Sequence, residues 1–326
     1  MIGDGGWGTT LAVHLAKKNY TVKLWGPFPP YIRRIRKSRV NTKFLPGVRL
    51  ARNIKLTEDL SVAIKDSAII VFAIPSQYAS GILKEIKKTK IDLSKKIFLS
   101  VTKGIDTTKL LRVSEIIRKE LGNIPLAVLS GPTIAIEVAK GIPSTAVVAS
   151  NDRTVAKKVQ AVFNSSSFRI YTNTDVVGVE LGGSIKNIIA IACGVCDGLG
   201  FGSNTKAAIL TRGLAEMARL GKALGAKHNT FSGLTGLGDL VTTCVSPRSR
   251  NRSVGEQLGR GRSMKSIMSN MEMVAEGVET VKAAYKLSRK YNVPMPITTE
   301  VYNIIHRNKK PSKAVSDLMT RKIKSE

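Results

Sequence analysis

The chain has 326 residues, 43% of them hydrophobic, enough apolar material for a sizeable core and for two domains. It carries 52 Lys+Arg against 23 Asp+Glu, a net charge of +29, which opens nucleic acid or an anionic membrane surface as a rival partner. The charges are spread along the whole chain and aromatics are only 5%, too few for a base-stacking platform, so no dedicated nucleic-acid partner is expected. Lys84, Lys87 and Lys88 fall at helical-surface spacing and read as a solvated basic face, one that would also attract a phosphorylated substrate. No apolar run approaches the roughly 20 residues that span a bilayer, and no leader peptide is visible. With three cysteines and no disulfide framework, a cytosolic location without membrane insertion is the default expectation.

In chain order, Gly3-x-Gly5-x-x-Gly8 opens a helical pattern over 8–17. These glycines suit a tight turn, close approach to a pyrophosphate and helix–strand packing, with free N–H groups at the helix start for the phosphates. A lone glycine-rich loop is weak evidence, but the βα alternation behind it adds weight. Candidate strands at 22–25, 54–56, 68–73, 97–101, 126–129, 146–149 and 168–171 alternate with helical patterns at 77–88, 109–121 and 154–163. This is the pattern of a Rossmann-type, doubly wound α/β sheet over residues 1–173. From 174 to 326 no strand is predicted. Helices are expected at 176–196, 205–224, 253–258, 278–291 and 298–305, giving a helical substrate-binding domain.

One feature is anomalous. A dinucleotide fingerprint ordinarily comes after a complete first strand, yet only Met1 and Ile2 precede Gly3. A misplaced start or a shortened sequence would account for this. The expected fold is still specified, but destabilised by the truncated central strand.

The cofactor preference is read from the second strand, which ends Leu24-Trp25-Gly26-Pro27 with no acidic residue between Asp4 and Glu58. An acidic residue there ordinarily binds the adenine ribose 2′-OH. Its absence, and Arg33, Arg34 and Arg36 downstream, lean the expectation towards NADP, with NAD kept open. Those arginines equally suit the solvated face of an ordinary surface helix.

The most informative stretch is Val179-Glu-Leu-Gly-Gly-Ser-Ile-Lys186-Asn187, continued by Ile188, Ile189, Ala190 and Ile191. A lysine among aliphatics costs several kcal/mol unless it is paired or loses its proton; the bland alternative is a stem that snorkels to solvent. Beside a dinucleotide fingerprint, a desolvated lysine points to hydride transfer at a carbonyl carbon. Lys103, in Thr102-Lys103-Gly104 after a strand, and the donors of Ser130-Gly131-Pro132-Thr133 lie where such sheets line their crevice, or are plain loop residues. Asp239, in Gly236-Leu-Gly238-Asp239, could orient Lys186 or serve as a cap. Ser249-Arg250-Asn251 offers fixed donors for a phosphate at a helix start, or a plain Ser N-cap. Cys193-x-x-Cys196 has no second Cys or His pair and reads as core packing. His14, His228 and His306 form no motif, and no metal site is expected.

Taken in order, Gly3–Gly8, Asn41-Thr-Lys-Phe-Leu-Pro-Gly47, Thr102–Gly104, Ser130–Thr133, Gly178–Asn187, Cys196–Gly202, Gly236–Thr243 and Ser249–Asn251 resemble, nearly end to end, the bacterial-type NAD(P)-dependent glycerol-3-phosphate dehydrogenases. The resemblance implies a helical second domain like that of the 6-phosphogluconate dehydrogenases. It implies reversible reduction of dihydroxyacetone phosphate, a small phosphorylated three-carbon substrate, to sn-glycerol 3-phosphate for phospholipid synthesis. It further implies that Lys186 is the proton donor and acceptor at C2. Lys103, Gly131, Thr133, Asp239, Ser249, Arg250 and Asn251 would hold the substrate. Gly3, Gly5, Gly6, Trp7, Gly8, Lys103, Ala135, Arg250, Val274 and Glu276 would contact the cofactor. Pro27 departs from the polar residue common near the adenine ribose. A dehydrogenase for another small hydroxy acid is the same-superfamily alternative, and a basic nucleic-acid binder the alternative from another class. The pattern is compatible with a homodimer and does not specify one.

Overall fold

The computed structural model describes residues 1–271, 274–323 and 325. The chain divides into two compact units: unit 1 comprises Met1–Lys103 and Leu111–Glu180, and unit 2 comprises Gly104–Leu110 and Leu181–Glu326. The division differs from the expected one after residue 173. It falls inside a continuous helix, Val176–Gly198, which carries no proline and whose internal glycines do not interrupt it. Gly104–Leu110 also joins unit 2, where the Gly104 N–H donates to the Ser184 hydroxyl at 2.8 Å.

Unit 1 is built on seven strands: β1 (Val22–Trp25), β2 (Ile54–Thr57), β3 (Ile69–Phe72), β4 (Ile97–Ser100), β5 (Leu126–Ser130), β6 (Ser144–Ala149) and β7 (Phe168–Asn173). The apolar runs of β3 to β6 are buried almost throughout, as sheet strands covered on both faces require, whereas β2 and β7 alternate buried and exposed residues. β1 pairs with β2, and β3 to β7 pair in sequence order. All pairs are parallel except β5–β6, which is antiparallel, so the sheet is mixed.

The first strand is present as a short stub around Ile2. Ile2 bridges Trp25 of β1 and Phe72 of β3, both in parallel. Its N–H donates to Val71 O at 2.8 Å, and its carbonyl accepts from Ala73 N at 2.8 Å. On the other side Gly3 N donates to Trp25 O at 2.9 Å and Trp25 N to Met1 O at 3.0 Å. Four backbone bonds thus join the two parts of the sheet, and Ile2 is fully buried between them.

Helix α1 (Gly6–Lys17) begins directly after the stub and buries Leu11, Ala12, Val13, Leu15 and Ala16 against the sheet. Helix α2 (Pro29–Ser38), absent from the sequence expectations, has Pro at its first turn and buries only Ile32 and Ile35. The helix expected at 109–121 starts later, at Val113. Leu110 takes a left-handed conformation (φ 58°), and the N-cap Arg112 donates its backbone N–H to Glu115 Oε2 at 2.8 Å.

Unit 2 is helical, with no strand among its described residues. Its central element is the Val176–Gly198 helix, whose Ile185, Ile188, Ile189 and Ile191 are fully buried. This helix is long and apolar enough, by length and composition, to cross a membrane, contrary to the expectation that no stretch would be. Most of that length is buried within the protein, so its apolar faces already have partners. Around it lie Ser203–Ala223, Asp239–Val245, Arg250–Gly259, Glu276–Lys290 and Pro296–Arg307. The buried Glu216 carboxylate caps the last of these, accepting from Ile297 N at 2.6 Å and Thr298 N at 3.0 Å.

Candidate active site

In unit 1 the fingerprint has the geometry its glycines require. Gly3 has φ +115°, and a Cβ there would lie 2.6 Å from Ala73 O. A Cβ on Gly8 would lie 2.2 Å from Gly3 O, so the turn and the helix close on each other with no room for a side chain. Gly5, by contrast, faces open space. It N-caps α1 without any side-chain bond, leaving the helix-start N–H groups and the positive dipole end for an anion. Gly6 lies against the backbone of Phe44, and Ala135 receives the Thr10 hydroxyl on its carbonyl at 3.1 Å. A Cβ on Gly6 would lie 4.0 Å from that of Ala135, so the two are neighbours across the loop. Trp7, in the first turn of α1, packs edge-on against Phe168 at 6.3 Å between centroids.

The loop is held from below by Asn41, which is fully buried. Its amide donates to Asp4 O at 2.7 Å and to Thr9 Oγ1 at 2.8 Å, while its own oxygen accepts from Tyr31 Oη at 2.6 Å. Asn41 opens one of the stretches that carry the family resemblance, but its residue type and spacing alone do not mark it for this supporting role.

At the carboxyl ends of β4 and β5, Lys103 Nζ donates to Gly131 O at 3.4 Å, and the Thr133 hydroxyl donates to the same carbonyl at 3.2 Å. Lys103, Gly131 and Thr133 are thus brought together at the edge predicted for a ligand crevice. Two of the three arginines invoked for NADP are otherwise engaged: Arg33 pairs with Glu58 at 2.5 Å and Arg36 with Glu58 at 3.2 Å, while Arg34 is exposed. The lean towards NADP loses the support of those two.

In unit 2, Lys186 is buried, with 5% of its surface exposed, and does not snorkel. Its ammonium forms a salt bridge with Asp239, itself 1% exposed, and donates to Thr243 Oγ1 at 2.6 Å. The Thr243 hydroxyl in turn donates to Asp239 O at 2.7 Å. Asp239 opens the Asp239–Val245 helix, and Thr243 lies one turn later on the same face. Gly182, one turn before Lys186, explains how the two segments meet. A Cβ there would lie 2.4 Å from Thr235 O, so only glycine lets the 234–239 segment approach. Asp239 is thus paired with Lys186, and the N-cap position of its helix is Gly238 rather than Asp239. Thr243 is a further partner of the lysine that sequence reasoning did not single out.

The second cluster in unit 2 gathers around the Arg250–Gly259 helix. Ser249 is its N-cap, accepting from Arg252 N at 3.2 Å. Arg250 is exposed, and Nη1 donates to Val274 O at 2.8 Å. Asn251 Oδ1 accepts from Gly277 N at 2.9 Å, next to Glu276 at the start of the Glu276–Lys290 helix. A Cβ on Gly277 would lie 2.8 Å from Asn251 Oδ1 and 2.9 Å from Asn187 O, which sets Asn251 beside the lysine-bearing turn. Lys186, Asp239, Asn251, Arg250, Val274 and Glu276 are thereby linked through one continuous set of contacts within the unit.

Cys193, Cys196 and Cys244 are buried free thiols, and burial pushes Cys196 up to about 12. A bond with Cys193 and burial likewise hold Cys244 well above the ordinary thiol range. His14 is buried against Phe163 O at 2.7 Å, a packing role.

A buried lysine–aspartate pair beside fixed polar groups, in a chain with a shaped dinucleotide loop, is the arrangement of a carbonyl-reducing dehydrogenase, and similarity to known proteins agrees. The profile of the NAD-dependent glycerol-3-phosphate dehydrogenase N-terminus matches residues 1–156, and that of the C-terminus matches 175–316. A glycerol-3-phosphate dehydrogenase [NAD(P)+] of Chlorobium phaeobacteroides is 48% identical over 329 residues, covering 100% of this chain and 98% of the relative. One of Citrifermentans bemidjiense is 47% identical over 331 residues with the same coverage. The crystal structure of the Coxiella burnetii glycerol-3-phosphate dehydrogenase superposes with a TM-score of 0.95 at 38% identity, covering 98% of each chain. With two profiles spanning both units and relatives matched over the full length, the chain belongs to the NAD-dependent glycerol-3-phosphate dehydrogenase family.

Proposed function

We propose that this protein reversibly interconverts dihydroxyacetone phosphate and sn-glycerol 3-phosphate with NAD(P)(H), supplying glycerol 3-phosphate for phospholipid synthesis in the cytoplasm. The observation that carries the reading is the buried Lys186 ammonium held by Asp239 and Thr243. Such a pair costs desolvation that its own attraction seldom offsets, so it is weak as a stabilising device and strong as a preorganised proton donor.

The loop residues fit a dinucleotide: Gly5 leaves open space over an uncapped helix start, and Gly3 and Gly8 close the turn beneath it. When bound, the nicotinamide exchanges a hydride with substrate C2. The remaining work belongs to the side chains. Lys186 polarises the C2 carbonyl oxygen and delivers its proton in reduction, then takes it back in oxidation. Asp239 and Thr243 fix the position of the ammonium and the directions in which it donates. The family resemblance assigns Ser249, Arg250, Asn251, Lys103, Gly131 and Thr133 to substrate contacts, and Arg250 to its phosphate. Gly6, Trp7, Ala135, Val274 and Glu276 are assigned to the cofactor.

The test is turnover of dihydroxyacetone phosphate against a set of keto acids, with NADH and with NADPH. Dihydroxyacetone phosphate should be strongly preferred, and Lys186→Ala should abolish turnover while cofactor binding persists. A preference for keto acids would overturn the substrate assignment. Retention of turnover by Lys186→Ala would overturn the mechanism.

A further inference from the structure

A dinucleotide domain ordinarily places a carboxylate after its second strand to receive the adenosine ribose 2′-OH. In this chain that strand is β1, the residue after it is Gly26, and no acidic residue occurs between Asp4 and Glu58. The carboxylate is nevertheless there in space. A Cβ built on Gly26 would lie 2.5 Å from Asp4 Cγ and 2.7 Å from each of its carboxylate oxygens. The Asp4 head group therefore fills the position where a side chain from the strand end would begin.

Asp4 is the variable residue of Gly3-x-Gly5, and three observations set it apart from loop filler. It is 4% exposed, and its Oδ2 is buried with no hydrogen-bond donor. An unsatisfied buried carboxylate oxygen is costly. Its backbone is locked, since Asp4 O accepts from Asn41 Nδ2 at 2.7 Å and Thr9 Oγ1 at 3.0 Å. Burial raises its pKa, against the opposing pull of its own backbone and of the Lys43 charge. The protein thus holds a rigid, underused acceptor at the head of the fingerprint.

We infer that Asp4 is the acceptor for a ribose hydroxyl on the adenosine half of the cofactor, and that it makes the protein select NAD(H) over NADP(H). The inference rests on the dehydrogenase reading above. A ribose hydroxyl can donate a hydrogen bond to the Asp4 carboxylate. A 2′-phosphate brings only acceptors and about two negative charges to the same place. Of the arginines that could balance a 2′-phosphate, Arg33 and Arg36 are held by Glu58. Gly26 acts with Asp4, because any side chain there would displace the carboxylate.

The test uses the full-length protein and two cofactor fragments without nicotinamide, ADP-ribose and 2′-phospho-ADP-ribose, titrated by calorimetry. The wild type should bind ADP-ribose at least about tenfold more tightly, the scale of one charged hydrogen bond. Asp4→Asn removes the charge at constant shape, and Asp4→Ser removes the carboxylate. Each should weaken ADP-ribose by about ten- to a hundredfold and leave 2′-phospho-ADP-ribose unchanged or tighter. The NADH-over-NADPH ratio of kcat/KM should fall in step, with thermal melting monitored for both variants. Equal or tighter wild-type binding of 2′-phospho-ADP-ribose overturns the proposal. So does an equal loss for both fragments in a folded variant, which would make Asp4 a structural support. If neither fragment binds the folded wild type, the dinucleotide reading itself fails, a result distinct from binding without discrimination.

Discussion

Asp239→Asn separates the catalytic from the structural meaning of the buried ion pair. Lys186 and Asp239 are both buried, and the ammonium also donates to Thr243 Oγ1 at 2.6 Å. Removing one partner of a buried pair costs about 3–5 kcal/mol, because it leaves the other charge uncompensated. Asparagine keeps one oxygen acceptor in the same place, so the lower end, about 3 kcal/mol, is expected. In a unit of about 150 residues this lowers the melting midpoint by roughly 6–12 °C. Turnover should fall by at least about tenfold, up to the hundred- to ten-thousandfold that a positioned general acid contributes in full.

The decisive comparison is the double variant Lys186→Met/Asp239→Leu. Replacing both charges by apolar groups of similar volume is neutral or stabilising when the pair exists for function. The double variant should therefore melt near the wild type, above Asp239→Asn, while being inactive. Urea unfolding and turnover of dihydroxyacetone phosphate measure the two properties separately. The reasoning is refuted if Asp239→Asn unfolds within about 1 kcal/mol of the wild type and keeps its turnover. It is also refuted if the double variant is as unstable as Asp239→Asn, since packing rather than charge would then set the cost.

Arg250→Lys keeps the charge but loses the planar fork, and should lower kcat/KM for dihydroxyacetone phosphate by about ten- to a hundredfold, or about 1.5–3 kcal/mol; equal harm to unphosphorylated dihydroxyacetone would make Arg250 structural. Gly182→Ala drives a methyl to 2.4 Å from Thr235 O and should cost about 1–3 kcal/mol and most of the activity, because the 234–243 segment must move away from Lys186; unaltered kinetics would show that the contact relaxes freely. Burial holds His14 below its ordinary pKa of 6.5, so the folded state binds fewer protons than the unfolded state once pH falls below about 6.5. Stability present above that value is therefore lost on acidification, and His14→Gln, which keeps a donor for Phe163 O, should flatten the melting-temperature slope between about pH 7 and 5; an unchanged slope would exclude His14 as its source.

The parts of this protein that are legible in its sequence are those whose cause is local. The seven strands are short β-branched runs, and each appears close to where its run lies. Helix α2 is not legible because it buries only Ile32 and Ile35 beneath a face of arginine and lysine, too few apolar positions to show a helical period. The antiparallel β5–β6 pairing is equally hidden. Strand direction depends on the connection through Ala135–Lys140, and apolar runs look the same in either direction.

The site divides along the same line. Lys186 can be found because a lysine among isoleucines is a local contradiction, and Asp239 because an aspartate between a glycine turn and an apolar run is another. Thr243 cannot, since a threonine in an amphipathic helix raises no such conflict; its role exists only once Gly182 admits the 234–239 segment. Asp4 is the extreme case. In the sequence it fills a variable place in a glycine loop, and the missing carboxylate after β1 reads as an absence that favours NADP. In three dimensions the small residue at Gly26 and the charge at Asp4 are one feature, because the space left by the absent side chain is the space the carboxylate occupies. A motif treats the two positions independently, whereas selection between cofactors acts on the volume they share.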